Sequence, residues 1–256
     1  MTQGRVQARV FGEVADDYDR LRAGYPPEMV DEVFRYAGNP PTALEIGAGT
    51  GKATRAFAGR GINITATEPD PAMAAVLRRS APDNVTVLET PFEEFQPAAR
   101  FELLYSAQAW HWVDPATRWE RAAAALKTDG TIALFWNLDR LADSATLAEV
   151  TPVYQRHAPE LTPNTDLAAE DELHTEWPGP DLAALPTFGD VETYLYRWER
   201  RLRPVDYLNY LSTQSPYRML DDTVRGQLFG GLRDVIDDEI AVGVDTVLYL
   251  ARRTAE

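Results

Sequence analysis

The chain has 256 residues, a formal net charge of −15 and no cysteine. That length suffices for a sizeable core, in one domain with an insertion or in two small domains. The missing cysteines exclude disulfides, thiol nucleophiles and cysteine metal sites, and no metal site is expected.

The acidity argues against DNA or bulk RNA as a partner, because such binding draws on Lys and Arg to neutralise phosphates. No apolar run approaches the length of a membrane span. The opening Met1-Thr2-Gln3-Gly4-Arg5 lacks the apolar segment of a secretory signal, so a cytoplasmic protein without membrane contact is expected. The oligomeric state is left open.

In chain order, residues 1–40 read as an N-terminal helical arm punctuated by Pro26, Pro27, Pro40 and Pro41. Residues 41–138 read as strands near 42–46, 62–67, 84–88, 101–106 and 131–137, with helices between them. Strands alternating with helices predict an α/β fold with a parallel sheet covered on both faces. Residues 139–188 break the rhythm with a helix near 143–157 and then Pro159, Pro163, Pro178, Pro180 and Pro186. They are expected to form an inserted lid.

Residues 189–256 return to the α/β pattern. Val191–Leu202 reads as a strand, about 204–239 as two helices divided near Ser215-Pro216, and Val244–Ala251 as a last apolar strand. Arg197, Arg200, Arg201 and Arg203 form the best basic cluster. With Glu199 interleaved, a solvated strand face weighs against a nucleic-acid patch there.

The most informative run is Ala43-Leu44-Glu45-Ile46-Gly47-Ala48-Gly49-Thr50-Gly51. A strand leads into glycines at alternate positions, and a helix from about Lys52 to Gly59 follows. Such a unit brings backbone N–H groups close to a nucleotide-like ligand. Glycine serves where a side chain would block that approach or where φ is positive.

The spacing is not the G-x-G-x-x-G of NAD sites, since Lys52 stands where the third glycine would fall. No Gly-Lys-Ser/Thr follows in the manner of a phosphate-binding loop. The second strand ends at Glu68, 17 residues beyond Gly51, and Asp70-Pro71 then caps a helix through Arg79. An acid at that place can accept hydrogen bonds from both ribose hydroxyls. A structural glycine loop and an ordinary exposed acid are the bland readings of the same residues.

The Glu45-Ile46-Gly47-Ala48-Gly49-Thr50-Gly51 run resembles the first motif of class I S-adenosylmethionine-dependent methyltransferases. Three further stretches resemble the small-molecule branch related to trans-aconitate methyltransferases. They are Tyr18 to Pro26, Ser106-Ala107-Gln108-Ala109-Trp110-His111-Trp112, and Arg203 to Leu208 leading into Leu211 to Ser215. The resemblance covers nearly the whole chain except 139–188. It implies a Rossmann-like, seven-stranded, mostly parallel sheet with helices on both faces and the last strand beside the fifth.

The resemblance also implies a cofactor, S-adenosylmethionine, and a small-molecule methyl acceptor. Cofactor contacts would fall to Gly47, Ala48, Gly49 and Gly51, to Glu45 toward the ammonium, and to Glu68 and Pro69 at the ribose. Ser106 and Gln108 after the fourth strand join them, with Tyr18, Arg22 and Tyr25 of the arm. An acid is usual at the adenine, but Pro91 stands in its place, so the Thr90 hydroxyl and the Phe92 N–H substitute.

His111 would lie near the reacting methyl as base or orienting donor. Trp110, Trp112, Trp136, Tyr207 and Leu211 would wall the substrate. Each has a plainer reading: Phe92 and the tryptophans as core, His111 as a packed neutral histidine, Arg22 paired with Asp16 or Asp19, and Tyr207 as helix packing. A fold that binds the cofactor but catalyses another reaction, such as a cyclisation, stays open. So, more remotely, does a nucleotide-dependent oxidoreductase.

Overall fold

The structure, a computed structural model, describes residues 15–255. The expected helical arm therefore falls partly outside the described residues. Within them, helices occupy Ala15–Leu21 and Pro27–Ala37.

Seven strands form one sheet: β1 (Thr42–Ile46), β2 (Asn63–Thr67), β3 (Val85–Leu88), β4 (Phe101–Ala107), β5 (Leu126–Leu141), β6 (Phe188–Leu202) and β7 (Ile240–Arg253). Their order is β3-β2-β1-β4-β5-β7-β6. β1 runs parallel to both β2 and β4, with Ile46 opposite Thr67 and Glu45 opposite Tyr105. β2–β3 and β4–β5 are parallel as well. β7 stands next to β5, as expected. β5 is longer than the expected 131–137 at both ends, and the helical region after β6 holds three helices: Pro204–Ser212, Ser215–Arg218 and Asp222–Val235.

Alternation along the strands explains burial on both faces. Leu103, Tyr105, Ala133 and Phe135 join one core with Phe57, while Leu104, Ile132, Leu134 and Trp136 join another. Successive side chains of a strand point to opposite faces, so a sheet covered on both sides needs apolar residues at nearly every position. On the first face the ring of Phe57, from the Lys52–Ala58 helix, stacks on Tyr105 with centroids 4.2 Å apart and lies 5.9 Å from Phe135.

The chain forms two compact units. One holds Ala23–Asn137, Ala168–Tyr196 and residues 246–255. The other holds residues 15–22, Leu138–Leu167 and Arg197–Asp245. The expected insertion 139–188 is thus shared between them at Leu167/Ala168.

The second unit has its own core of Leu141, Val150, Tyr154, Tyr207, Leu208, Leu211, Leu228 and Leu232. Its Ser144–His157 helix starts on Asp143, whose carboxylate accepts from the backbone N–H groups of Ala145 and Thr146.

Candidate active site

In the strand order, β1 has β2 on one side and β4 on the other, so successive crossovers leave in opposite directions. Ligands of open α/β sheets bind at the carboxyl ends of the strands beside such a switch. The glycine loop leaves β1 there, Glu68 leaves β2, and Gln108 leaves β4.

Gly47, Gly49 and Gly51 all have positive φ, at 66°, 58° and 90°. The N–H groups of Gly47 and Ala48 donate to the Thr67 carbonyl at 2.9 and 3.0 Å, which ties the loop to the end of β2. At Gly47 a Cβ would stand 2.4 Å from the Cβ of Ala109, so the loop after β1 and the turn after β4 touch backbone to methyl. At Gly49 a Cβ would meet no atom within 4 Å, which leaves that side of the loop open.

The Gly49 N–H donates to Glu68 Oε2 at 2.7 Å, and the Asp70 N–H donates to Oε1 at 2.8 Å. Glu68 is buried, and burial pushes its carboxyl up to about 7 against the two backbone donors. Each carboxylate oxygen keeps acceptor capacity beyond one bond. Pro69, beside it, is exposed.

Glu45 alternates onto the same face as Tyr105. It is buried beneath the Lys52–Ala58 helix, and its Oε2 accepts from Thr54 Oγ1 at 2.6 Å and Tyr105 OH at 2.9 Å. Burial pushes its carboxyl up to about 8. These hydroxyls give Glu45 partners within the core beneath the loop.

The turn after β4 carries the remaining groups. Gln108 has a left-handed φ of 59°, donates its N–H to the Phe135 carbonyl at 3.0 Å and its Nε2–H to the Asn137 carbonyl at 2.9 Å. Trp110–Trp112 is one 3-10 turn. The Nδ1 of His111 lies 3.3 Å from the indole Nε1 of Trp136, and its ring centroid lies 4.5 Å from that of Trp112. His111 is exposed as a residue, yet desolvation of its ring, followed by the Arg118 charge, lowers its pKa.

Asn137 was not expected in the site. Its Nδ2–H donates to the Gly24 carbonyl at 2.9 Å, and its Oδ1 accepts from Thr246 Oγ1 at 2.7 Å. It joins β5, β7 and the segment before the Pro27–Ala37 helix, where Tyr25 sits edge-on to Phe135 at 4.8 Å. The three partners are scattered through the chain, and no local pattern marks them.

Several expected site residues turn inward. Ser106 is wholly buried and donates to the Ile46 carbonyl at 3.0 Å, a bond between β4 and β1. Trp110 is wholly buried, with its ring centroid 6.2 Å from Phe92 and 5.2 Å from Trp119, so it is core and no substrate wall. Phe92 is buried in the same cluster, and its carbonyl accepts from Arg121. The Thr90 hydroxyl donates to the Pro91 carbonyl at 3.3 Å.

The second unit holds Tyr18, Arg22, Tyr207 and Leu211. The Arg22 guanidinium donates to Thr213 Oγ1 and to the Thr213 carbonyl, both at 3.0 Å. It also lies over the rings of Tyr18 and Tyr210 at 5.1 and 5.5 Å. Tyr207 and Leu211 line a cavity of about 350 Å³ in this unit, with Asp139, Arg140, Tyr210 and Tyr217.

Residues 44–134 match the methyltransferase domain family. An uncharacterized methyltransferase of Mycobacterium tuberculosis is 34% identical over 171 residues, which are 59% of this chain and 70% of the relative. The chain belongs to the class I S-adenosylmethionine-dependent methyltransferases. Its cofactor is S-adenosylmethionine, as the glycine motif implied.

A probable S-adenosylmethionine-dependent methyltransferase of Saccharomyces cerevisiae is 22% identical over 196 residues, 70% of this chain and 65% of that protein. The fold of this methyltransferase is shared with a solved structure described as a proposed type II methyltransferase from Anaeromyxobacter dehalogenans. The TM-score is 0.63 at 22% identity, covering 92% of this chain and 99% of that one. Among its described residues this methyltransferase has no helix long and apolar enough to cross a membrane, and no cluster of His, Asp and Glu suited to a metal ion.

Proposed function

We propose that this protein transfers a methyl group from S-adenosylmethionine to a small molecule, in the branch related to trans-aconitate methyltransferases. A place in specialised metabolism and in the cytoplasm belongs to the same reading. The observation that carries the cofactor site is the buried Glu68 carboxylate, which accepts from the N–H of Gly49, a residue where a Cβ would meet no atom within 4 Å.

The residues present fit this cofactor. A carboxylate with spare acceptor capacity suits a ribose diol, and a loop without side chains admits a close ligand. Glu68 and Pro69 would hold the ribose, and Gly47, Ala48, Gly49 and Gly51 would face the methionine portion and ribose. Gln108 would bound the site from β4, and Tyr25 would close it from the segment before its helix. Glu45 would act from below, through the Thr54 hydroxyl, by holding the helix that follows the loop. Thr90 and the backbone at Phe92 would meet the adenine.

When bound, the cofactor supplies a methyl already activated on a sulfonium sulfur. What remains for the chain is to position a nucleophile in line at roughly 3 Å and to exclude water. His111, with Trp112 and Trp136 around it, is the group we assign to the acceptor. Within the second unit, Tyr207 and Leu211 line a cavity of about 350 Å³.

The test is calorimetric titration with S-adenosylmethionine and its demethylated product, with NAD as control, on the wild type and Glu68→Ala. Micromolar binding of both sulfur ligands, weakened at least tenfold by the substitution and absent for NAD, supports the reading. Failure of both sulfur ligands to bind overturns it.

A further inference from the structure

The contact between Trp136 and His111 decides more than where the imidazole sits. An indole N–H is a donor and has no lone pair to offer, whereas a neutral imidazole carries one N–H and one bare nitrogen. The Trp136 Nε1 lies 3.3 Å from His111 Nδ1. Nδ1 is therefore the bare nitrogen, and the ring proton belongs on Nε2.

We propose that Trp136 is a positioning residue that holds His111 in its neutral Nε2–H tautomer, so that His111 presents a hydrogen-bond donor, and no base, to the methyl acceptor. The role toward the acceptor rests on the methyl-transfer reading above; the tautomer rests on the geometry alone.

The surroundings fix both rings. Trp136 is buried on β5, its indole edge-on to Trp177 at 5.5 Å and to Tyr249 at 6.2 Å. Trp112 lies against His111 on the same turn. A proton on Nδ1 would meet the indole N–H head-on and break the contact. The charges felt here come from Arg118 and, around it, from Asp181 at 3.6 Å and Asp114. Ring desolvation opposes a second proton on His111, and the Arg118 charge acts in the same direction.

The consequence for the acceptor is specific. With Nε2 already protonated, no proton passes from the acceptor to His111. The favoured acceptor reaches the site with its lone pair free, as an oxyanion or an unprotonated amine, and receives a hydrogen bond from Nε2–H. A neutral hydroxyl would need another base to take its proton.

The experiment is a long-range proton–nitrogen spectrum of the imidazoles in the ¹⁵N-labelled full chain, with His111 assigned by the loss of its signals in His111→Asn. In the wild type, Nδ1 is expected in the unprotonated range and Nε2 in the protonated range. In Trp136→Phe the two shifts should move toward each other, as a mixture of tautomers forms, while His157 and His174 keep theirs. A wild-type spectrum with the proton on Nδ1, or an equal mixture, overturns the proposal without need of any variant. Calorimetric binding of S-adenosylmethionine is read separately, so its failure would count against the functional reading and leave the tautomer standing or falling by the spectrum.

Discussion

A methyl group at Gly47 would stand 2.4 Å from the Cβ of Ala109, a separation that side-chain carbons do not adopt. Gly47 also holds φ at 66°. Gly47→Ala therefore meets two penalties, a left-handed backbone and an overfilled contact, together costing about 1–3 kcal/mol. Urea unfolding should register that loss, and cofactor affinity should fall with it. Adding Ala109→Gly should restore the part due to the contact and leave the part due to φ. Equal stability of Gly47→Ala and wild type would contradict both.

The buried carboxyls of Glu45 and Glu68 predict an unusual pH dependence. Burial raises them to about 8 and about 7 in the folded protein, against about 4.3 in the unfolded chain. Between those limits the folded state binds more protons than the unfolded, so stability falls as pH rises from about 4.3 toward 8. Each group contributes at most about 1.4 kcal/mol per pH unit within its own window. The carboxylates with lowered pKa, such as Asp143 and Asp206, titrate below their ordinary value and act outside this window. Melting temperatures of the cofactor-free protein at pH 5 and pH 8 should differ in that direction, and Glu45→Gln should flatten the difference. A wild type more stable at pH 8 than at pH 5 would contradict the prediction.

Cofactor affinity should move the other way. An ionised Glu68 offers more acceptor capacity to hydroxyls than a protonated one. Binding of S-adenosylmethionine should tighten as pH passes upward through about 7, the folded value for Glu68. Glu68→Gln should lose that rise and bind weakly at every pH, as followed by calorimetry.

In the second unit the Tyr210 hydroxyl donates to Asp139 Oδ2, Arg200 reaches the same oxygen at 3.4 Å, and Asp139 Oδ1 is buried without a hydrogen-bond partner. Tyr210→Phe would leave this carboxylate short of a donor, at about 1–3 kcal/mol. A double-mutant cycle with Asp139→Asn should give a coupling above about 0.5 kcal/mol. Additive losses would show that the two side chains do not act as a pair.

The arginines of β6 and its exit are predicted to make a poor nucleic-acid surface. Arg197, Arg200, Arg201 and Arg203 each have a carboxylate within 4 Å: Asp245 at 3.8 Å, Asp139 at 3.4 Å, Glu199 at 3.9 Å and Asp206 at 2.6 Å. Their charge is largely compensated, so duplex DNA should not be retained in a mobility-shift assay at low salt. Retention that weakens with added salt would reveal a basic face after all.

Local chemistry made much of this site legible. Positive φ at Gly47, Gly49 and Gly51, a strand before them and a helix behind are encoded within ten residues. The cap of the next helix, Asp70 accepting from Ala72 and Met73, is equally local. The turn Trp110-His111-Trp112 was harder. Three consecutive residues carry no period, so nothing in the string says that Trp110 turns into the core while His111 stays exposed. Ser106 entered the expected site through the resemblance of the run Ser106 to Trp112, but the pairing of β4 with β1 turned its hydroxyl onto Ile46.

The order of the strands along the chain, the glycine loop and the acid that ends the second strand were determined by sequence alone, because backbone preference and alternation act over a few residues; the full lengths of β5 and β7 were not. Tertiary structure decided which groups meet. Glu68 finds the Gly49 N–H only because β1 and β2 pair with Ile46 opposite Thr67. Asn137 ties together Gly24, Gln108 and Thr246 across most of the chain. Trp136 reaches His111 from β5, across from the turn after β4, and that contact decides where the imidazole carries its proton. Each depends on strand register and loop closure over long separations, which no local pattern records.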